Sequence, residues 1–514
     1  MKKLIAPLLL GAVLSSAFGA DDSLKQEIEA LKVQMAELKN AQSKINIDAL
    51  KSQMNEIKAH DSGDNIKWTV DFRTAYDSLD YKLSGAENQQ NGVWTNKLIL
   101  GMAAQPADNL VFQGSLSAYK IFGRNNATAN NAFQNMDWYS SETPDDSTIR
   151  LREAYFLYFD NIGDVPYTVS FGRRPSVDGF MTNLRADNEH PASPIGHNIN
   201  MEFDGASFKF DLDKVTGISG MYFKICLGRG NSNADSKYTT FDNFQGSLTT
   251  SGLMNTSLPY TQNGNDSPNM DLAGAILQLY DNGQYKVMAN YFKGWNMMGA
   301  NMQWTGIGTD GTAQTMDDTW KMNLVDVGNL TGGALSLQVN GIGDGISDFL
   351  DDSIFFVSYA FSKTDPQGTH GIMSSNAGAG GTNVSEMLGS SDSETGSSIY
   401  TGVQVPGIMK NQRFGLEYNH GSKYWRSFTY GEDTLIGSKL AARGDAYEAY
   451  YIMPIVGKNL TAQVSYVYIN YDYAGSDMFF GSTGTPMTKA EALANGMSYV
   501  DSASEIRLSL RYRY

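Results

Sequence analysis

The chain has 514 residues, 18% of them charged, with 52 glycines, 28 tyrosines, 24 phenylalanines, a single cysteine, Cys226, and a formal net charge of −16. One cysteine excludes an internal disulfide, and the acidic balance argues against a nucleic-acid partner. A mean hydropathy of −0.34 with no long apolar run after residue 20 excludes a bundle of membrane-spanning helices. It does not exclude a transmembrane β-barrel, whose strands need apolar side chains only at every second position.

Lys2 and Lys3 precede an apolar run from Leu4 to Leu14, and Ala17-Phe18-Gly19 offers small residues at −3 and −1 for cleavage before Ala20. This pattern predicts a secretory signal peptide over 1–19, too short to persist as an anchor. Its removal takes two positive charges with it, so the mature chain carries −18 (−16 − 2). Residues 20–60 follow a different rule. Leu24, Ile28, Leu31, Met35 and Leu38 recur at 4-3-4-3 spacing, continue through Gln42 to Ile45, and resume at Leu50, Met54 and Ile57, flanked by Lys and Glu. That is a heptad seam with a phase break near 46–50, and it predicts a periplasmic coiled-coil helix that self-associates. A helix lying on the barrel mouth is the alternative.

After Asp61-Ser62-Gly63-Asp64 the period switches from 3.5 to 2. Ile66, Trp68, Val70, Phe72, Thr74 and Tyr76 alternate with Lys67, Thr69, Asp71, Arg73 and Ala75. The same signature closes the chain, where Ile506, Leu508, Leu510, Tyr512 and Tyr514 alternate with Glu505, Arg507, Ser509, Arg511 and Arg513. Between them strands are predicted at 94–104, 110–120, 148–159, 167–174, 203–212, 218–228, 270–280, 284–294, 333–341, 353–363, 410–418, 422–430, 446–455 and 460–472, which makes sixteen. The expected fold is an all-β, sixteen-stranded antiparallel transmembrane barrel over 65–514. Short links at 105–109, 160–166, 213–217, 281–283, 342–352, 419–421 and 456–459 alternate with long ones at 77–93, 121–147, 175–202, 229–269, 295–332, 364–409, 431–445 and 473–503. That alternation puts both termini in the periplasm. Met322–Val327 is strand-like but is assigned to the fifth long loop, since an extra crossing would break the alternation. Polar and charged residues on the second face of each terminal strand require a water-filled interior, which a soluble sandwich does not have.

Arg152-Glu153-Ala154-Tyr155, followed across a short turn by Gly172-Arg173-Arg174-Pro175, resembles the fourth and fifth strands of many porins. The stretches Gly172–Gly179, His420-Gly421-Ser422-Lys423-Tyr424-Trp425 and Tyr447 through Asp472-Tyr473 resemble a porin-like outer-membrane family of campylobacter-like bacteria known only as a domain of unknown function. The resemblance implies a diffusion channel in the bacterial outer membrane, often trimeric, with a third long loop folded into the lumen. The last strand, ending on Tyr514 where Phe is commoner, resembles the signal read by the barrel-assembly machinery.

Metal and catalytic motifs are weak. Glu189-His190 with His197 invites a metal reading without usual zinc spacing, and Asp344, Asp348, Asp351 and Asp352 lack calcium-loop spacing and fit a short helix better. No nucleophile–base or paired-acid set suggests an enzyme, and no cofactor is expected. Two functional classes stand: a diffusion channel for small hydrophilic solutes or ions, and a structural or surface-interaction protein of the outer membrane. For the channel, parity points Arg73, Lys97, Arg150, Arg152, Arg174 and Arg507 inward as a basic stripe. Loop 175–202 brings Asp178, Asp187 and Glu189, with Arg185, opposite it. On the functional reading this transverse field favours small anions. On the structural reading the arginines pair with Asp71 and Glu505 and keep the interior hydrated. Parity also places Glu153 outside, with Leu151 and Tyr155.

Overall fold

The computed structural model describes residues 66–514 apart from 125–141, 146, 175, 233, 237–259, 263–268, 305–319, 344, 368–381, 386–387, 391, 430 and 475–485. The expected signal peptide and coiled coil lie outside the described residues. Sixteen antiparallel strands close into a barrel: β1 (Lys67–Ser84), β2 (Gln89–Ala107), β3 (Leu110–Ile121), β4 (Arg150–Ile162), β5 (Val165–Arg174), β6 (Phe203–Asp211), β7 (Tyr222–Asn231), β8 (Met270–Asp281), β9 (Tyr285–Trp304), β10 (Trp320–Asn340), β11 (Ile354–Pro366), β12 (Thr395–Pro406), β13 (Arg413–Gly421), β14 (Gly444–Val456), β15 (Leu460–Tyr471) and β16 (Tyr499–Arg513). Each pairs with its sequence neighbours, and β16 returns to β1 with Phe72 opposite Tyr512 and Asp77 opposite Arg507. A four-residue strand, Thr382–Ser385, adds to the end of β9.

The wall is inside-out relative to a soluble protein. On β16, Ile506, Leu508, Leu510 and Tyr512 are exposed on the outer face, while Glu505 and Arg507 are 2% and 8% exposed on the inner one. Trp68, Leu335, Tyr359, Ile399, Leu416 and Tyr447 continue the apolar outer face. Closed pairing leaves none of the sixteen strands as an edge of the ring, the condition for crossing a bilayer with strands.

The count of sixteen is right for partly the wrong reasons. Residues 395–406, read as part of a long loop, form β12; its inner positions are Gly396, Ser398, Tyr400, Gly402 and Gln404, a composition that mimics loop sequence. Of the residues 422–430, read as a strand, the described ones, 422–429, form none. Trp425, Ser427 and Phe428 are fully buried and Arg426 is 1% exposed, so residues 425–429 are enclosed on all sides rather than on one face. The expected short link at 419–421 is the end of β13. The first long link, 77–93, is mostly strand, because β1 and β2 run on to a turn at 85–88. Met322–Val327 belongs to the same long strand as 333–340, so it is strand without being an extra crossing. The link 341–353 carries a single helical turn, α1 (Asp348–Asp351), capped by the Ser347 side chain, as expected of its aspartates.

Two long loops at the same end of the barrel fold inward and fill much of it. Loop 175–202 buries Phe180, Met181, Ile195 and Met201, and loop 422–443 buries Trp425, Phe428, Leu440 and Ala442. They join each other through Asn200 N–H to Phe428 O (2.6 Å), Phe428 N–H to Asn198 O (3.0 Å) and Gly431 N–H to Asn200 O (2.6 Å). Their apolar side chains pack against inward Met288, Phe292, Phe356 and Tyr400 of the wall. Two wall glycines allow loop 422–443 to lie this close. A Cβ on Gly396 would stand 2.2 Å from the Trp425 nitrogen, and one on Gly421 would stand 2.0 Å from the Ala442 oxygen.

Candidate functional site

What the two loops leave open is a charged chamber of about 110 Å³ against the β1–β4 and β14–β16 side of the wall. Six bases line it, Arg73, Lys97, Arg152, Arg185, Arg507 and Arg511, and six acids, Asp71, Glu142, Asp178, Asp433, Glu448 and Glu505. The expected inward stripe of Arg73, Lys97, Arg152 and Arg507 is therefore brought together. Arg150 and Arg174 also face inward but lie outside this chamber. Arg174 sits behind loop 175–202 beside Ser176 and Ser193, its Nε buried without a hydrogen-bond partner, and neither it nor Arg150 has an ion pair among the described residues.

The opposing acids differ from those expected. Asp433, at the tip of loop 422–443, contacts Arg73, lies 3.3 Å from Arg507 and 3.6 Å from Lys97. Burial alone would raise its pKa, but these three cations together hold it well below the usual carboxylate range. Glu142 contacts Lys97 and accepts from Arg152 at 2.8 Å, and against the opposing pull of burial the pair lowers its pKa too. Glu202 stands 3.3 Å from Arg152. Of the three acids expected on loop 175–202, Asp178 lines the chamber; burial first, then the nearby Glu142, pushes its pKa up. Asp187 pairs with Arg513 and Glu189 with Lys458 at the short-turn rim. The expected partners of the arginines are present in part: Asp71 is bound by Arg511 (2.8 Å) and Glu505 by Arg507 (2.9 Å).

Glu153 and Tyr155 correct the parity reading. The β3–β4 register pairs Ser115 with Glu153 and Leu116 with Leu151, passing over Arg152. This bulge points Arg152 and Glu153 to the same side and inverts every position before it relative to those after it. Leu151 is 51% exposed outside, whereas Tyr155 is inside and its hydroxyl bonds Gln113.

A second charged cluster fastens the loops to the wall. Glu417 of β13 and Glu448 of β14 stand directly opposite each other, and Lys439 of loop 422–443 sits between them, 2.5 Å from Glu417 and in contact with Glu448. Arg185 bridges Glu417 (3.3 Å) and Glu432 (2.9 Å), and the carboxylates raise its pKa despite burial. His197 does not meet Glu189 and His190. It is fully buried with its ring nitrogens 2.8 Å from Ser358 and Ser398, and burial draws its pKa down to about 3, so it is a neutral clamp. Asn198 and Asn290 exchange amide hydrogen bonds at 2.9 and 3.1 Å. Below the loops a vestibule of about 570 Å³ opens toward the short turns, with Asp211, Asp213, Asp351 and Asp352 among its lining.

The class so defined is a sixteen-stranded antiparallel barrel with an apolar outer wall and a lumen narrowed by two inward loops. Residues 87–514 match the family described as "Protein of unknown function (DUF3373)", and the chain belongs to that family. No curated protein matches it. Among solved structures it is similar to the anion-selective porin from Comamonas acidovorans (9% identity, 87% of this chain and 100% of that one, TM-score 0.44). It is also similar to Salmonella typhi OmpF in complex with daunomycin (10%, 88% and 98%, 0.42) and to the high-pH structure of Pseudomonas putida OprB (12%, 88% and 94%, 0.42). Likeness at these values transfers no activity to this chain.

Proposed function

We propose that the protein is a bacterial outer-membrane channel of the porin type, passing small hydrophilic solutes or ions without catalysing a reaction. The observation that carries this reading is the charged chamber enclosed by a wall whose outer face is apolar. Short turns and both termini then face the periplasm, and the long loops face outward. Residues 22–59 join three copies through a parallel coiled coil, and the strand ending at Tyr514 presents the barrel to the assembly machinery. The chamber's six bases and six acids cancel in formal charge, so any ion preference is modest. It leans toward anions, because Asp178 is displaced toward its neutral form and because Arg150 and Arg174 face inward without an acid partner among the described residues. That lean grows as pH falls.

One observation favours the other class. Trp425, Phe180 and Met181 pack in one apolar cluster inside the barrel and Phe428 in a second, as expected of a closed, structural or surface-interaction protein. Conductance of the purified protein in a planar bilayer separates the two: discrete ohmic steps support the channel, and a silent bilayer with folded protein supports the closed barrel.

A further inference from the structure

At the long-loop end of the outer wall, β13, β14 and the residue after β15 bring together an imidazole and two carboxylates that have no part in the lumen. We propose that His420, Asp445 and Asp472 bind a divalent transition-metal ion of the zinc type. One ligand atom from each lies within 4.8 Å of the others. The placement is set by backbone that the barrel fixes: His420 and Asp445 are direct partners across β13 and β14, and Asp472 is held by its own N–H to the Arg443 oxygen at 2.9 Å. Ligands on paired strands are positioned before the ion arrives, which lowers the cost of assembling the site.

His420 Nδ1 stands 3.0 Å from Asp445 Oδ1. That separation serves a hydrogen bond, and it is also about that of two neighbouring ligands each about 2.1 Å from one ion. The Tyr418 hydroxyl donates to the same Asp445 oxygen at 2.6 Å and orients the carboxylate, the supporting role that outer partners play around metals. Neither aspartate has a Lys or Arg ion pair among the described residues, in contrast to the paired carboxylates of the chamber. His420 and Asp445 are 44% and 30% exposed, so an ion can enter from outside and keep open positions there. One imidazole with two carboxylates suits zinc, nickel or cobalt better than calcium, which takes six or more oxygens. Tyr418, Tyr447 and Tyr468 lie beside and below the trio, ring centroids 5.2 and 6.5 Å apart in sequence, a run of aromatics suited to the membrane boundary. The site therefore lies at headgroup height on the outer face.

The test is calorimetric titration of zinc into full-length protein, purified in detergent and stripped with a chelator, beside His420→Gln and Asp472→Asn. His420 sits on the outward side of β13 and Asp472 just beyond the end of β15, and heat-modifiable gel mobility reports folding of each variant. The expected result is one fewer zinc per chain in His420→Gln and affinity about tenfold or more weaker in Asp472→Asn. Wild type that binds no zinc, or folded variants that match it in number and affinity, overturn the proposal. The outcome does not depend on conduction: a silent barrel that binds zinc at these residues removes the channel reading and keeps the site.

Discussion

Replacing Lys439 by Met keeps an unbranched side chain one atom shorter and deletes the charge between Glu417 and Glu448. Those carboxylates oppose each other in register, an arrangement that repels without the ammonium. Leaving a buried ion without its partner costs about 3–5 kcal/mol. Arg185 still lies 3.3 Å from Glu417, whereas Glu448 has no other cation among the described residues, so the lower end applies, about 3 kcal/mol. At 1.36 kcal/mol per decade, that shifts the balance between seated and released loop 422–443 by about two orders of magnitude. The loop carries Asp433 out of the chamber when it leaves, so single-channel recordings should show larger or more frequent open steps, and trypsin should cut the loop faster. Adding Glu448→Gln should restore both. If Lys439→Met records and digests like wild type, the lysine does not hold the loop and the account of the lumen is wrong.

Changing Arg73, Arg152 and Arg174 together to Ser removes two of the chamber's six bases against six acids, leaving four, and removes Arg174, which has no ion pair among the described residues. The reversal potential under a salt gradient should move toward cations, and no movement makes the basic stripe purely structural. Acid should loosen the plug. His197 is neutral when seated and has a pKa of about 3 against 6.5 when released, so the release takes up a proton in between. Its stabilisation is complete above about pH 6.5 and falls by about 1.4 kcal/mol per pH unit toward pH 3. Asp433 acts in the same sense below about pH 4, while Asp178, with a raised pKa, opposes it. Loss of near-ultraviolet circular dichroism on acidification, flattened by His197→Gln, checks this. Deleting 22–59 should lower the oligomer size in mild detergent, and an unchanged size by light scattering assigns assembly to the barrel walls.

Period-2 alternation made most of the wall legible, because one face meets apolar surroundings and the other a polar lumen. It worked best on β1 and β16, where Trp68, Phe72, Leu508 and Tyr512 face out and Asp71, Arg73 and Arg507 face in. It failed where that two-sided environment is missing. Residues 425–429 are enclosed all round, and β12 carries Gly and Ser inward to make room for Trp425 and Phe356. The basic half of the chamber followed from strand parity. Glu142, Asp433 and Lys439 did not, since a loop has no period to say which residue returns to the lumen. Gly431-Glu432-Asp433 reads as an ordinary surface turn. The bulge at Arg152 had a trace in the sequence, the charged Glu153 on a face that parity called apolar.

Asp433 touches the barrel where it can least afford error. Its partners Arg73 and Arg507 belong to the first and last strands, the two whose pairing closes the ring. A seam slipped by two residues would keep every side chain on its proper face, so the alternation of polar and apolar positions cannot detect it. It would, however, present Glu505 or Ser509 to Asp433 in place of Arg507. Repulsion or a lost ion pair would mark the mistake, and loop 422–443 could not seat. The loop thus proofreads the ring, admitting the one alignment in which the ends of the chain agree.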